Sequence, residues 1–290
     1  MKMLYLLQSL LMVGLVAPVN AEEPIAQAPV ADLATMNQDA RCKQVLVTCL
    51  INGVPMRMML DTGATHTVLH EESAARVPSA QWIDTSQMNF RGNSSQHPKI
   101  MLASMLAGPA ESPAHPLMVM NLGAVRSMMA EPIDGILGMD ILGQVPFTFD
   151  FRNGNLQWGI PEGLDVVPLY AVPDGTGRFV VQARCEGKEV HMLLDTGSSV
   201  TRVLADQWTP GAGEVINAQI GDIDNQEGIK VTEGKAADLE LGPGVTAKGV
   251  TPILGSTQEP PILGMDALQG LILIHIPQED SRSGIFLLAK

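Results

Sequence analysis

Apolar residues along this chain come in short runs of strand length, cut by Gly, Asn, Asp and Pro. That spacing predicts strands and turns rather than long helices. Val45 to Leu50 runs into Asn52-Gly53, a dipeptide suited to a two-residue hairpin, and Val54 to Leu60 returns. His66 to Val77 carries the spacing of a short helix, with Val68, Leu69 and Ala74 or Ala75 inward. The stretch from 86 to 106 reads as a hairpin with a polar tip around Arg91-Gly92-Asn93. Leu117 to Met120 follows as a strand, and Phe147 to Trp158 as a closing hairpin over Asn153-Gly154. Pro and Gly then punctuate residues 159–176, as a linker would.

Beyond residue 176 the order starts again. Phe179 to Ala183, a turn at Glu186-Gly187 and Val190 to Leu194 mirror the opening hairpin. A polar tip near Gly221-Asp222, strands near 237–241 and 250–254, and Leu271 to Leu288 complete the second pass. The sharpest correspondence lies in two hexads, Leu60-Asp61-Thr62-Gly63-Ala64-Thr65 and Leu194-Asp195-Thr196-Gly197-Ser198-Ser199. Asp195 follows Asp61 by 134 positions (195 − 61), and a second shared triplet, Gly-Met-Asp, recurs after 126 (264 − 138). The order holds while the intervening loops differ in length, which is the mark of a repeat drifting in its loops.

A lone Asp-Thr-Gly is an ordinary turn, but two in matched settings can supply two carboxylates to one site. Carboxylates about 3 Å apart cannot both ionise, so the pair keeps one proton and serves as base and acid together. Gly63 and Gly197 would allow close backbone approach and offer amide donors to the carboxylates. Thr62 and Thr196 would bond across the axis, and Ile136-Leu137 and Ile262-Leu263 would pack beneath the loops. Ala64 and Ser198 break the symmetry: a Ser198 hydroxyl donating to Asp195 would favour its charged form and make it the better base.

These motifs, Leu-Asp-Thr-Gly-Ala/Ser-Thr/Ser, a flap-like hairpin and Ile-Leu-Gly-Met-Asp, resemble those of the retropepsin and pepsin clan of aspartic peptidases. The resemblance spans two halves, 42–158 and 177–290, like two retropepsin protomers in one chain. It implies an all-β, bilobal acid-protease fold, Asp61 and Asp195 as the dyad, and an extended peptide bound in the cleft between lobes. It also implies flaps over the substrate, near Arg91, Gly92 and Asn93 in the first half and Gly221 and Asp222 in the second. A monomer follows, because the pairing is within the chain. Neither flap carries the tyrosine usual in pepsins; the only tyrosines are Tyr5 and Tyr170. The rival reading is a silent peptide- or protein-binding module on the same fold.

Composition adds less. The 290 residues are 46% hydrophobic but only 4% aromatic, so Met, Leu, Val and Ile must fill the core. Residues 1–21 read as a signal peptide, with Lys2, an apolar run and Val19-Asn20-Ala21, which predicts export to the periplasm or medium. Residues 22–41 read as a flexible leader. Signal removal would leave a charge of 17 − 31 = −14, against nucleic acid or an anionic membrane surface as partner. Cys42, Cys49 and Cys185 have no metal-binding spacing, and His66 and His70 lack further ligands, so no metal or other cofactor is expected.

Overall fold

A computed structural model describes residues 36–39, 43–84, 99–222, 225–255, 260–278 and 284–289. Strands make up 53% of it, with four short helices at Glu71–Ala74, Gly123–Met128, Met139–Leu142 and Met265–Leu268. No helix among the described residues is long and apolar enough to cross a membrane.

The first half is a closed ring. Strands Val45–Ile51, Val54–Leu60, Gly135–Leu137, Val68–His70, Ala110–Met120 and Lys99–Ala107 pair in that order. Leu50 and Ile51 then pair with Leu106 and Met105, so six strands close without a free edge. Asn52 and Gly53 both take positive φ, 45° and 79°, as the opening two-residue turn requires. Val45–Ile51 is buried almost throughout because both of its faces are covered. Val45, Val47, Cys49 and Ile51 belong to the main core with Met56, Met58, Leu60 and Met101. Leu46 faces a second cluster with Met59, Met118, Val125 and Ile136, beside the helix Gly123–Met128.

The helix expected over 66–77 is instead a strand, Val68–His70, followed by one helical turn at Glu71–Ala74. Val68–His70 runs parallel to Met118–Met120 and antiparallel to Gly135–Ile136. Ladder bonds on two sides and burial of Val68 and Leu69 favour the strand, and the cost of nucleating a short helix adds to that preference. His66 is exposed and His70 buried, so they share no helix face.

The second half repeats these pairings with two strands broken, the counterpart of Ala110–Met120 being split into Val245–Val250 and Ile253–Gly255. Lys188–Leu194 pairs in parallel with Ile262–Leu263, as Val54–Leu60 does with Gly135–Leu137. The strand continuous at Lys99–Ala107 is here split into Asn225–Gly234 and Ala237–Gly242. The first piece pairs with Ile253–Gly255 and the second with Phe179–Cys185.

A five-stranded sheet joins the halves, in the order Asn155–Trp158, Phe147–Asp150, Ile272–Pro277, Gly284–Ala289 and Val166–Pro168. Its middle pair takes one strand from each half, with Phe147 opposite His275 and Phe149 opposite Leu273. The segment read as a linker therefore holds structure of its own. Val166–Pro168 edges this sheet, and Ala171–Pro173 pairs with Phe179–Val181. The leader also contributes, since Met36–Gln38 pairs with Val45–Val47. The predicted signal peptide, residues 22–35 and 40–41 of the leader, and Cys42 lie outside the described residues. Cys49 and Cys185 are buried free thiols.

Candidate active site

Each Asp-Thr-Gly leaves the end of a strand that is already locked in place. Leu60 pairs with Leu137 and Leu194 with Leu263, and the next amides, Asp61 and Asp195, donate to Leu137 and Leu263 carbonyls at 3.0 and 3.1 Å. Ile136-Leu137 and Ile262-Leu263, all buried, thus form the floor of the two loops.

The loops meet through buried threonines. Thr62 Oγ1 donates to the Leu194 carbonyl at 2.9 Å and accepts from the Thr196 amide at 3.1 Å. Thr196 Oγ1 donates to the Leu60 carbonyl at 3.1 Å and accepts from the Thr62 amide at 3.2 Å. Each hydroxyl donates one bond and accepts one across the axis, so neither loop shifts without the other.

The two carboxyl groups face each other over this lock. Gly63 N–H donates to Asp61 Oδ1 at 2.8 Å, Ala64 N–H to the same oxygen at 3.0 Å, and Gly197 N–H to Asp195 Oδ1 at 2.9 Å. A Cβ added to Gly63 would sit 2.6 Å from Asp195 Cγ, and one on Gly197 would strike the Asp61 carboxylate. Each glycine is therefore needed by the aspartate of the opposite lobe. Burial and the adjacent Asp195 carboxylate hold the Asp61 carboxyl well above the usual carboxylate range.

The expected Ser198 contact is not made. Its hydroxyl donates instead to the Val200 carbonyl at 2.9 Å, because the tight turn brings that acceptor within reach.

A second layer escaped the sequence reading. Thr67 donates both its N–H and its hydroxyl to Asp140, at 2.8 and 2.7 Å, while Gly138 N–H donates to Thr67 Oγ1. Thr201 does likewise, with its hydroxyl donating to Asp266 at 2.6 Å and Gly264 N–H bonding to Thr201 Oγ1. The two Gly-Met-Asp triplets thus clip onto the loops that follow the Asp-Thr-Gly turns. The signal was present, since Thr67 and Thr201 each stand six residues after their aspartate. His115 Nε2 lies 2.9 Å from Asp140 Oδ2 in the first lobe.

Of the expected flap residues, Gly221 and Asp222 end the strand Ala212–Asp222, where Asp222 pairs with Asn225 beside the turn. Arg91, Gly92 and Asn93 lie outside the described residues; of the flanking residues, Gln81–Asp84 pairs antiparallel with the start of Lys99–Ala107. Trp82 and Ile83 on one leg, and Val215 on the other hairpin, are exposed apolar side chains. Among the described residues, no group of three His, Cys, Asp or Glu side chains is placed to hold a metal.

Two β-barrel halves, with an Asp-Thr-Gly loop from each meeting on one axis, define the retropepsin-like aspartic peptidase class. Residues 47–144, most of the first half, match the family model of the gag-polyprotein putative aspartyl protease, which supports a protease-like fold. No curated protein matches the chain.

Proposed function

We propose that the protein is an aspartic endopeptidase in which Asp61 and Asp195 activate one water against a peptide carbonyl. The observation that supports this best is the pair itself: two facing carboxyls, each held by the amide of its own glycine, on loops locked together by Thr62 and Thr196. The ionised carboxylate takes a proton from the water, and the protonated one donates to the carbonyl oxygen. The proton then passes to the leaving nitrogen, so neither side chain forms a covalent bond to substrate. The substrate is an extended peptide in the cleft, beneath hairpin tips near Gly92 and Gly221. Trp82, Ile83 and Val215 favour apolar side chains there. The chain is exported by its N-terminal segment and acts as a monomer.

The test is cleavage of a mixed peptide library from about pH 3 to about pH 8, with and without a peptide carrying a secondary alcohol in place of the scissile bond. Cleavage blocked by that analogue supports the reading. Absence of cleavage at every pH overturns it in favour of a silent binding module. Gly63→Ala or Gly197→Ala should lower kcat by about 100-fold, since displacing a reacting group by about 1 Å costs that much. Near-normal turnover by either variant would mean that the opposing carboxylate does not sit where the geometry puts it.

A further inference from the structure

The two active-site loops are not supported alike. Gln44, a buried side chain of the first lobe, reaches across to the second loop. Its Nε2 donates to the Gly197 carbonyl at 3.2 Å and to Ser199 Oγ at 2.9 Å. A carbonyl only accepts, so the amide NH2 rather than the oxygen must face Gly197. Gly197 is thereby gripped at both ends, its N–H on Asp195 and its C=O on Gln44.

Gln44 is itself fixed by the segment before it. Asp39 N–H donates to the Gln44 carbonyl at 2.8 Å, Lys43 N–H returns to the Asp39 carbonyl at 3.1 Å, and Lys43 turns the chain at φ 67°. The Asp39 carboxylate in turn accepts the Ala130 amide at 3.0 Å. In the second lobe the residue before the matching strand is Arg178, and it turns away, with Nε on Asp174 Oδ2 at 2.9 Å. Thr65, the counterpart of Ser199, bonds to the neighbouring His66 ring instead.

We propose that Gln44 is a positioning residue for the second loop alone, pinning the Gly197 peptide so that its N–H stays on Asp195. The proposal rests on the peptidase reading, and it assigns the inequality of the two aspartates to Gln44 rather than to Ser198. Freeing the Gly197 carbonyl lets that peptide rock and weakens the donor to Asp195. A carboxylate that loses a donor is harder to ionise, so Asp195 requires a higher pH to act as base.

Gln44→Ala should lower kcat about tenfold with KM within about twofold, and move the acid limb of the kcat/KM profile upward. Gln44→Glu, equal in size but without the donor, should do at least as much. Arg178→Ala should leave the acid limb in place. Amide exchange read by mass spectrometry, without substrate, should quicken in the peptide covering 195–201 and not in that covering 61–67. The exchange arm decides the proposal even if the wild-type protein cleaves nothing. Unchanged exchange at 195–201, an unmoved acid limb in an active Gln44→Glu, or an equal limb shift from Arg178→Ala would each overturn it.

Discussion

Asn in place of Asp61 should abolish peptide cleavage, by at least about 10^3-fold in kcat, and Asn at Asp195 should do the same. The reason is that neither carboxyl has a task it completes alone. With Asp61→Asn the shared proton is gone, and Asp195 can take a proton from water but nothing protonates the carbonyl oxygen. With Asp195→Asn no ionised partner receives the water proton. Groups acting as a unit are not additive, so the double variant should be scarcely slower than either single one. Stability should move the other way. Asp61 is held well above the usual carboxylate range by burial and by the Asp195 charge. A carboxyl whose folded pKa is raised stabilises the fold in acid and loses that contribution as pH rises through the folded value. At neutral pH the wild-type pair therefore carries a cost that Asn removes without changing shape. Asp61→Asn should melt no lower than wild type near neutrality, and urea titration checks it. Retained cleavage in either single variant would remove the dyad as the source of activity.

How much of this was legible depended on whether the deciding interaction was local. The Asn52-Gly53 turn needs positive φ at two successive residues, a property of those residues, and the sequence declares it. That the two Asp-Thr-Gly loops meet was legible in the hexads, because each loop is short and each half carries its own copy. Val68–His70 was misread as helix because its partners, Met118–Met120 and Gly135–Ile136, lie roughly 50 to 70 positions away, and only their ladders make it a strand. The 159–176 segment looked like a linker because its Pro and Gly content says nothing of Gly284–Ala289, against which Val166–Pro168 pairs. Ser198 failed for the opposite reason: its hydroxyl found a local acceptor, the Val200 carbonyl, ahead of the aspartate. Gln44 gave no signal at all. It belongs to no motif, and its role exists only once the two lobes are together.

His275 should make the junction of the two lobes acid-sensitive. Its ring lies between aromatic side chains from both halves, with Phe147 and Phe286 at centroid distances of 5.0 and 4.9 Å, and Nδ1 bonds to the Val145 carbonyl at 3.2 Å. Burial pushes the imidazole down from 6.5 to about 4. The folded protein thus resists a proton that the unfolded chain accepts. Stability from this group is whole above the unfolded value and is lost as pH falls from about 6.5 toward 4, amounting to about 3 kcal/mol. The dyad acts in the opposite sense over acid pH, so the wild-type curve holds two opposed contributions. They separate in the Asp61→Asn background, where the acid-stabilising one is removed and the His275 loss should stand out. Adding His275→Asn, which keeps a donor for Val145 but takes up no proton, should then flatten urea-derived stability between about pH 7 and about pH 4 by roughly 3 kcal/mol. Parallel curves with and without His275 would mean that the ring is not buried neutral at the junction. If they separate as expected, the acid limit of the proposed cleavage is set by the sheet joining the lobes, while its base limit is set by the raised pKa of the Asp61 carboxyl. Activity should then fail reversibly at the basic end, and below about pH 4 with a time-dependent loss that His275→Asn slows.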